Sequence, residues 1–329
     1  MTVERIPIWL DCDPGHDDVV AILVAVFHPK LELLGISTVY GNTSLENTTA
    51  NALAILTAIG RTDIPVHVGA AQPLVKTVSH AQEIHGESGL DGSSLVPLPA
   101  TTASLIPAIE AMKTAVETHP GMSIVATGTL TNMAQLYAAY PHLKPLIRYV
   151  SIMGGGINIG NKSKYAEFNI VCDPEAALQV LTDAEMAPKT ILIPLNLTHQ
   201  AICTKKVRVG LYDPSNPSKS SPLRQMFSEL MMFFAITCET QGFMDGPPVH
   251  DPVAVYVLLA MYGEAGLGFE YTSYDLTVPL EGEREGETAV VKEDPQGVKV
   301  GLGLNIEKFW NAFLQCMELA DVNAPLNRK

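Results

Sequence analysis

The sequence predicts an α/β fold: a single domain with a mostly parallel, open sheet flanked by helices. Three observations lead there. Short runs rich in Ile, Val and Leu alternate with longer Ala- and Leu-rich stretches of helical period from residue 6 to residue 194. The connections are mostly brief, as in βαβ units whose crossover helices return the chain to a parallel neighbour. No internal repeat or low-complexity tract interrupts the 329 residues, so the chain reads as one unit, 1–329.

Taken in order, residues 6–10 form a first strand, followed by a Pro14-Gly15 turn and an apolar helix over 17–27. A strand over 31–40, a helix over 45–59 and a short strand over 64–68 follow. Residues 69–100 break the rhythm with Gly, Pro, Ser and His, and predict a long surface loop of the kind that is functional or mobile. The alternation resumes with a helix over 104–119, a strand over 123–126, a helix over 131–140 and a strand over 148–153. A second loop, 154–170, precedes a helix opened by Asp173-Pro174, and then a strand over 190–194. After the polar linker 215–221 comes an amphipathic helix over 223–241, carrying Met226, Leu230, Met231 and Phe234. Several short strands with Gly turns over 269–304 and a helix over 306–319 close the chain, and the acidic run 281–287 is a solvated turn.

Composition removes several functions. Hydrophobic residues make up 47% and charged residues 17%, enough to bury a core. Against 21 Lys and Arg stand 35 Asp and Glu, a net charge of −14 with no basic patch, so neither a nucleic acid nor an anionic membrane is an expected partner. The start has no secretory apolar region, and the longest apolar stretches, 19–27 and 253–261, are too short to span a bilayer. Cys12, Cys172, Cys203, Cys238 and Cys316 are scattered and without a CxxC pair, as expected of reduced thiols in a cytoplasmic protein.

The chemistry concentrates where the first strand ends. Asp11-Cys-Asp13-Pro-Gly-His-Asp17-Asp18 sets four carboxylates into eight residues, at the strand-to-helix turn where parallel sheets bind ligands. The following helix offers free N–H groups and a positive dipole end, yet four neighbouring negative charges repel unless a cation intervenes. Carboxylates without thiols or paired imidazoles suit a hard cation such as Ca²⁺ or Mg²⁺. Capping alone explains one Asp and an Asp-Pro turn, not the whole string.

That string resembles the N-terminal signature of the inosine-uridine-preferring nucleoside hydrolases. Further stretches agree in order and spacing: Ser37-Thr-Val-Tyr-Gly-Asn42, Ile84-His-Gly-Glu-Ser-Gly-Leu90, Ala126-Thr-Gly-Thr-Leu-Thr-Asn132, Met153-Gly-Gly-Gly156, Ala166-Glu-Phe-Asn169 with Asp173-Pro-Glu-Ala-Ala177, and Val249-His-Asp-Pro252. The surroundings of Phe27-His-Pro29 and Tyr40-Gly-Asn42 are most similar to the fungal uridine-nucleosidase branch. The resemblance implies a Rossmann-like nucleoside hydrolase fold, a homodimer or homotetramer, and hydrolysis of ribonucleosides, uridine or inosine, to free base and ribose in nucleoside salvage. It implies Ca²⁺ held by the carboxylates of Asp13, Asp18 and Asp251 and by the main-chain carbonyl of Thr127. Asp13 would take the proton of the attacking water.

Asp17, Asn42, Asn161, Glu167 and Asn169 then match the ribose-binding set, with Met153 beneath the sugar. Amides and carboxylates suit hydroxyl groups, and an extended stretch over 167–169 would point Glu167 and Asn169 to one side. His85, in the 69–100 loop, matches a base-side histidine, and His250 a proton donor to the leaving base, helped by an ordinary titration near neutrality. Plainer explanations stand beside these. Asn42 and Asn161 also suit left-handed turns, Met153 a core position, His85 a surface loop, and Asp251-Pro252 a helix start. His16 reads as exposed variation. The base wall is expected from the end of the 223–241 helix and the 241–250 loop, with Phe227, Gln241 and Phe243 as candidates, though core packing explains Phe227 equally well.

Two other classes compete. A Mg²⁺-dependent phosphohydrolase would use Asp11 or Asp13 as an aspartyl nucleophile, but only Lys162 and Lys164 lie near the matched loops to meet a phosphate. A non-catalytic nucleoside-binding protein would be expected to have lost carboxylates or His250, and all are present.

Overall fold

The structure, a computed structural model, describes residues 5–328. Strands over Ile6–Cys12 (β1), Leu31–Thr38 (β2), Val66–Val68 (β3), Ser123–Ala126 (β4), Val150–Met153 (β5), Thr190–Ile193 (β6), Glu270–Thr277 (β7), Ala289–Glu293 (β8) and Val298–Gly303 (β9) form one sheet of order β3-β2-β1-β4-β5-β6-β9-β7-β8. The first six pair in parallel, and β9 joins β6 in parallel. Only β7 runs against the other strands, pairing antiparallel with β9 on one side and with the edge strand β8 on the other. The 3-2-1-4-5-6 portion is a doubly wound arrangement whose order reverses between β1 and β4, where their carboxyl ends leave a crevice for ligands.

The helix Asp18–Phe27 is apolar all round and buried along its length except at its last residue. It packs between the helices Asp251–Met261 and Ile306–Asp321, which is what an all-apolar helix requires. This packing also sets the N-termini of the first two of these helices side by side, beyond the end of β1. The helix Pro222–Glu239 begins on a Ser221 cap, whose hydroxyl accepts from the Arg224 amide at 3.2 Å. It sends Met226, Phe227, Leu230 and Met231 into the core. Phe227 is fully buried there, so truncating it to alanine should cost about 3–5 kcal/mol.

Departures from the sequence expectations have local causes. The helix expected from residue 104 begins at Ala108, after Pro107, because Ser104 instead bridges to His67 beside β3. The 69–100 segment is not a plain surface loop: it holds the one-turn helix Gln82–His85, and Ala81, His85 and Leu90 are buried. Residues 168–169 are not extended; Glu167 is the N-cap of a short helix, Phe168–Cys172. Asp173 caps the next helix, Pro174–Leu181, as expected, accepting from the Ala176 amide at 3.1 Å. Two short helices, Leu195–Thr198 and Lys205–Leu211, lacked a readable period. No helix among the described residues is long and apolar enough to cross a membrane, and all five cysteines are free and buried.

Candidate active site

Asp13 lies just past β1 and is fully buried. Its Oδ2 accepts the Asn42 amide N–H at 2.8 Å, while its Oδ1 has no hydrogen-bond partner. Two glycines let the backbone close around this carboxylate. A Cβ on Gly41 would collide with Oδ2, and one on Gly128 would come within 2.7 Å of Oδ1. An orphaned, buried carboxylate oxygen costs heavily unless something outside the protein's own donors satisfies it.

Asp18 opens its helix with both carboxylate oxygens hydrogen-bonded. Its Oδ2 accepts from the Gly15 amide at 2.9 Å and Asn42 Nδ2 at 3.2 Å, and its Oδ1 from the Thr127 hydroxyl at 2.9 Å. Asp17, the N-cap residue, makes no capping bond; its Oδ2 accepts the His250 amide at 3.3 Å. Asp251 opens the neighbouring helix, and oxygens of Asp17, Asp18 and Asp251 all lie within 4.8 Å of one another. Burial is the main cause that drives all four carboxyls above the usual carboxylate range, and their mutual repulsion adds to it at Asp13, Asp17 and Asp251; Asp17 reaches about 7. Two helix N-termini, several converging carboxylates and one unpartnered oxygen make a donor set that fits a hard divalent cation.

The cleft above this cluster is partly enclosed and opens to solvent. Asp17, Asn42, His85, Thr127, Met153, Asn161, Glu167, Asn169, His250 and Asp251 all line it, so the expected residues converge from segments far apart in the chain. Asp13 and Asp18 lie buried beneath them.

Several of these side chains also hold the site together. Asn42 Nδ2 donates to the Asp13 carbonyl at 3.1 Å as well as to Asp18, bracketing the two acids. Glu167 accepts three backbone amides: Gly155 at 2.9 Å, Asn169 at 3.0 Å and Ile170 at 3.2 Å. Asn161 Oδ1 accepts from the Phe168 amide at 2.9 Å. Neither Asn42 nor Asn161 sits in a left-handed turn; Asn158 is the one non-glycine residue with positive φ among those described.

The structure corrects three expectations. His16 is not exposed: it is fully buried, with Nδ1 3.1 Å from Nδ1 of His85. His250 does not titrate near neutrality, because burial first and His199 second push it down to about 3. Its Nδ1 is 2.7 Å from the Thr198 hydroxyl, a partner that nothing in the sequence marked. Phe227 does not reach the cleft; Phe234 and Cys238, farther along the same helix, line it together with Gln241. Phe243 packs edge-on against His199 instead. Asp11, the other candidate nucleophile, is sealed below the site, with Oδ1 accepting from Ser37 and from Asn132 Nδ2, and burial raises it to about 7. Lys162 pairs with Glu83 at 2.8 Å.

Known proteins resemble this chain in sequence and in fold. Residues 8–311 match the inosine-uridine preferring nucleoside hydrolase family. The chain is 45% identical to the uridine nucleosidase of Saccharomyces cerevisiae over 337 aligned positions, covering 98% of each. It is 40% identical to the pyrimidine-specific ribonucleoside hydrolase RihA of Escherichia coli, covering 77% of this chain and 79% of that one. Among solved structures, a purine-preferring ribonucleoside hydrolase from Gardnerella vaginalis superposes with a TM-score of 0.86 at 26% identity, covering 96% of this chain and 100% of that one. A plant nucleoside hydrolase superposes with a TM-score of 0.83 at 27% identity, covering 95% and 99%. With fold, cleft and sequence in agreement, the chain belongs to the inosine-uridine preferring nucleoside hydrolases and is an N-glycosyl hydrolase.

Proposed function

We propose that this enzyme hydrolyses pyrimidine ribonucleosides, uridine foremost, to free base and ribose, and that Ca²⁺ is its resident cation. The observation that carries the proposal is the buried, unpartnered Oδ1 of Asp13 beside Asp17, Asp18 and Asp251. Such oxygens suit a cation with six to eight oxygen ligands, which leaves positions for a sugar diol and a water. The pyrimidine preference rests on the 45% identity to a uridine nucleosidase and 40% to a pyrimidine-specific hydrolase.

In this mechanism Asp13, Asp18, Asp251 and the Thr127 carbonyl would hold the cation, which when bound would supply positive charge to grip the ribose and acidify water. Asp13 Oδ1, buried and without a hydrogen-bond partner in the protein, receives the proton of the attacking water. Asn169 and Glu167, on the far wall, face the sugar hydroxyls, and Met153 packs below them. A positive ribosyl ring forms as the base departs, and the surrounding carboxylates stabilise it. His250 stands on the base side. Neutral at rest, its ring carries one N–H, which can donate a hydrogen bond to the departing base as negative charge develops there.

The test is a kinetic comparison of uridine, cytidine, inosine and adenosine by release of reducing sugar, before and after prolonged chelation. Uridine should give the highest kcat/KM, and chelation should abolish turnover until Ca²⁺ is restored. Preference for inosine would overturn the pyrimidine assignment, and full activity after exhaustive chelation would overturn the cation.

A further inference from the structure

We propose that Thr198 is a positioning residue for His250: its hydroxyl occupies Nδ1 of the ring, so that Nε2 presents its hydrogen to the departing base. The inference deepens the proposed ribonucleoside hydrolysis and rests on it for the identity of the base. The orientation of the ring is a property of the free protein.

Thr198 ends the short helix that follows β6, and it is fully buried. It lies behind the cleft wall, whereas His250 is part of that wall. Its Oγ1 is 2.7 Å from His250 Nδ1. The two nitrogens of an imidazole point to nearly opposite sides of the ring. A ring whose Nδ1 faces Thr198 therefore turns Nε2 to the open side, the cleft.

The hydrogens follow from the partners. A buried hydroxyl places its hydrogen on an acceptor, and among the described residues His250 Nδ1 is the one within reach of Thr198 Oγ1. Thr57, Thr114 and Thr182 instead donate to the carbonyl four residues earlier on their own helices, at 2.7, 2.9 and 2.6 Å. Among the described residues no N–H competes for Nδ1, and the His250 amide itself donates to Asp17 Oδ2. The opposite arrangement, Nδ1 donating to Oγ1, would leave the hydroxyl hydrogen buried and unpaired. With the hydroxyl donating, Nδ1 is bare, and the ring carries its hydrogen on Nε2.

Two cross-linked backbone segments hold the pair in register. Ile202 bridges Pro248 in antiparallel fashion, the Cys203 amide donates to the Pro247 carbonyl at 2.9 Å, and the Val249 amide to the Ala201 carbonyl at 3.0 Å. The Thr198 amide donates to the Pro194 carbonyl at 3.0 Å, and the Thr198 carbonyl accepts from the Ala201 amide at 2.9 Å. Leu195 and Leu197 anchor this turn in the core. A β-branched side chain on so fixed a backbone has few rotamers. The His199 ring stands edge-on to His250, with centroids 5.8 Å apart, and closes another side. A donor held in this way stabilises charge that appears only as the base departs, so its loss falls on kcat.

Thr198→Val keeps the branched shape and removes the hydroxyl, and Thr198→Ser keeps the hydroxyl. On uridine, Thr198→Val should lower kcat about tenfold, the worth of roughly one hydrogen bond, with KM nearly unchanged. Thr198→Ser should recover most of it. On p-nitrophenyl riboside, whose leaving group carries negative charge without help, Thr198→Val should lose far less. Added to His250→Ala, it should cost little more on uridine, because the two residues act as one unit. Equal losses on both substrates, or a full additional loss in the His250→Ala background, overturn the proposal. Ring ¹⁵N spectroscopy of histidine-labelled, ligand-free protein at about pH 8, above the ordinary histidine range, reads the ring directly. The signals lost in His250→Ala should show a hydrogen on Nε2 and a bare Nδ1; a hydrogen on Nδ1 overturns the proposal whatever is cleaved. If His250→Ala itself leaves uridine turnover unaltered, the donor role proposed for His250 falls, and the spectrum still decides for or against Thr198.

Discussion

The side-chain amide of Asn169 donates to the main-chain carbonyl of Thr127 at 2.8 Å, joining the short helix after Glu167 to the end of β4. Thr127 is tied on its other side as well, its own amide donating to the Asp11 carbonyl at 2.8 Å. A residue expected to touch sugar therefore also aims a carbonyl expected to touch the cation. Outer partners of this kind change metal affinity by about 10–100-fold when removed. Asn169→Ala should weaken Ca²⁺ binding about tenfold by calorimetry, alongside a higher KM. Unaltered cation affinity with a higher KM would confine Asn169 to the sugar.

Asp13→Asn removes the charge and the proton acceptor at nearly constant volume. The Asn42 amide keeps an oxygen partner, so the fold should survive. Positioned acid–base groups contribute about 10²–10⁴-fold. A fall in kcat of about a thousandfold is expected, with nucleoside binding in equilibrium dialysis changed much less. Near-normal turnover would remove Asp13 from the chemistry.

Much of this was legible in the chain itself. The 123–126 strand is observed as Ser123–Ala126, and the helices of 45–59 and 131–140 end within a residue of expectation, because apolar period and turn residues are local signals. The acidic string was legible for a similar reason: its charges have no local means of neutralising one another. What stayed hidden depends on partners distant in sequence. His16 meets His85 across 69 residues and Asp17 meets the His250 amide across 233, and no local pattern encodes either contact. Glu167 was expected in an extended stretch, but its carboxylate caps a helix too short to show a period.

Glu167 consequently has a structural duty separable from any sugar contact. Its three accepted amides tie Gly155 in the loop after β5 to the start of the Phe168–Cys172 helix. Loss of a helix cap costs about 0.5–2 kcal/mol. Glu167→Ala should lower Tm by a few degrees and raise KM, while Glu167→Gln, which keeps an acceptor oxygen, should retain more of the Tm than of the KM. If Glu167→Gln binds nucleoside normally, its role is architectural.

His250 is neutral in the resting enzyme, so kcat/KM, which reports free-enzyme ionisations, should show no limb from it between about pH 5 and 7. If it supplies the proton to the leaving group, His250→Ala should cut turnover about a hundredfold on nucleosides whose base must leave protonated. Slight and equal losses on inosine and uridine would assign that proton elsewhere.

Cation removal should expose the strain among the four acids as a dependence of stability on pH. Burial raises Asp13, Asp17, Asp18 and Asp251, with Asp17 at about 7, so the folded, cation-free chain retains protons that an unfolded chain releases near pH 4. A folded state that binds more protons loses stability as pH rises, from the unfolded pKa until the folded one is passed. The buried histidines act in the opposite direction and at lower pH. His16 and His28 are held at about 4 and His250 at about 3, so their contribution is lost only as pH falls below about 6.5. Above that pH the carboxylates alone remain to be ionised, and a bound cation removes the opposition to ionising them. The Tm gained on adding Ca²⁺ to chelated protein should therefore grow between about pH 6.5 and 8.5. At a hundredfold excess over Kd the stabilisation is about 2.7 kcal/mol, or roughly 5 °C for a chain of this size. Differential scanning fluorimetry across that range measures it, and a gain that shrinks with rising pH would show that Asp13, Asp18 and Asp251 do not hold the cation.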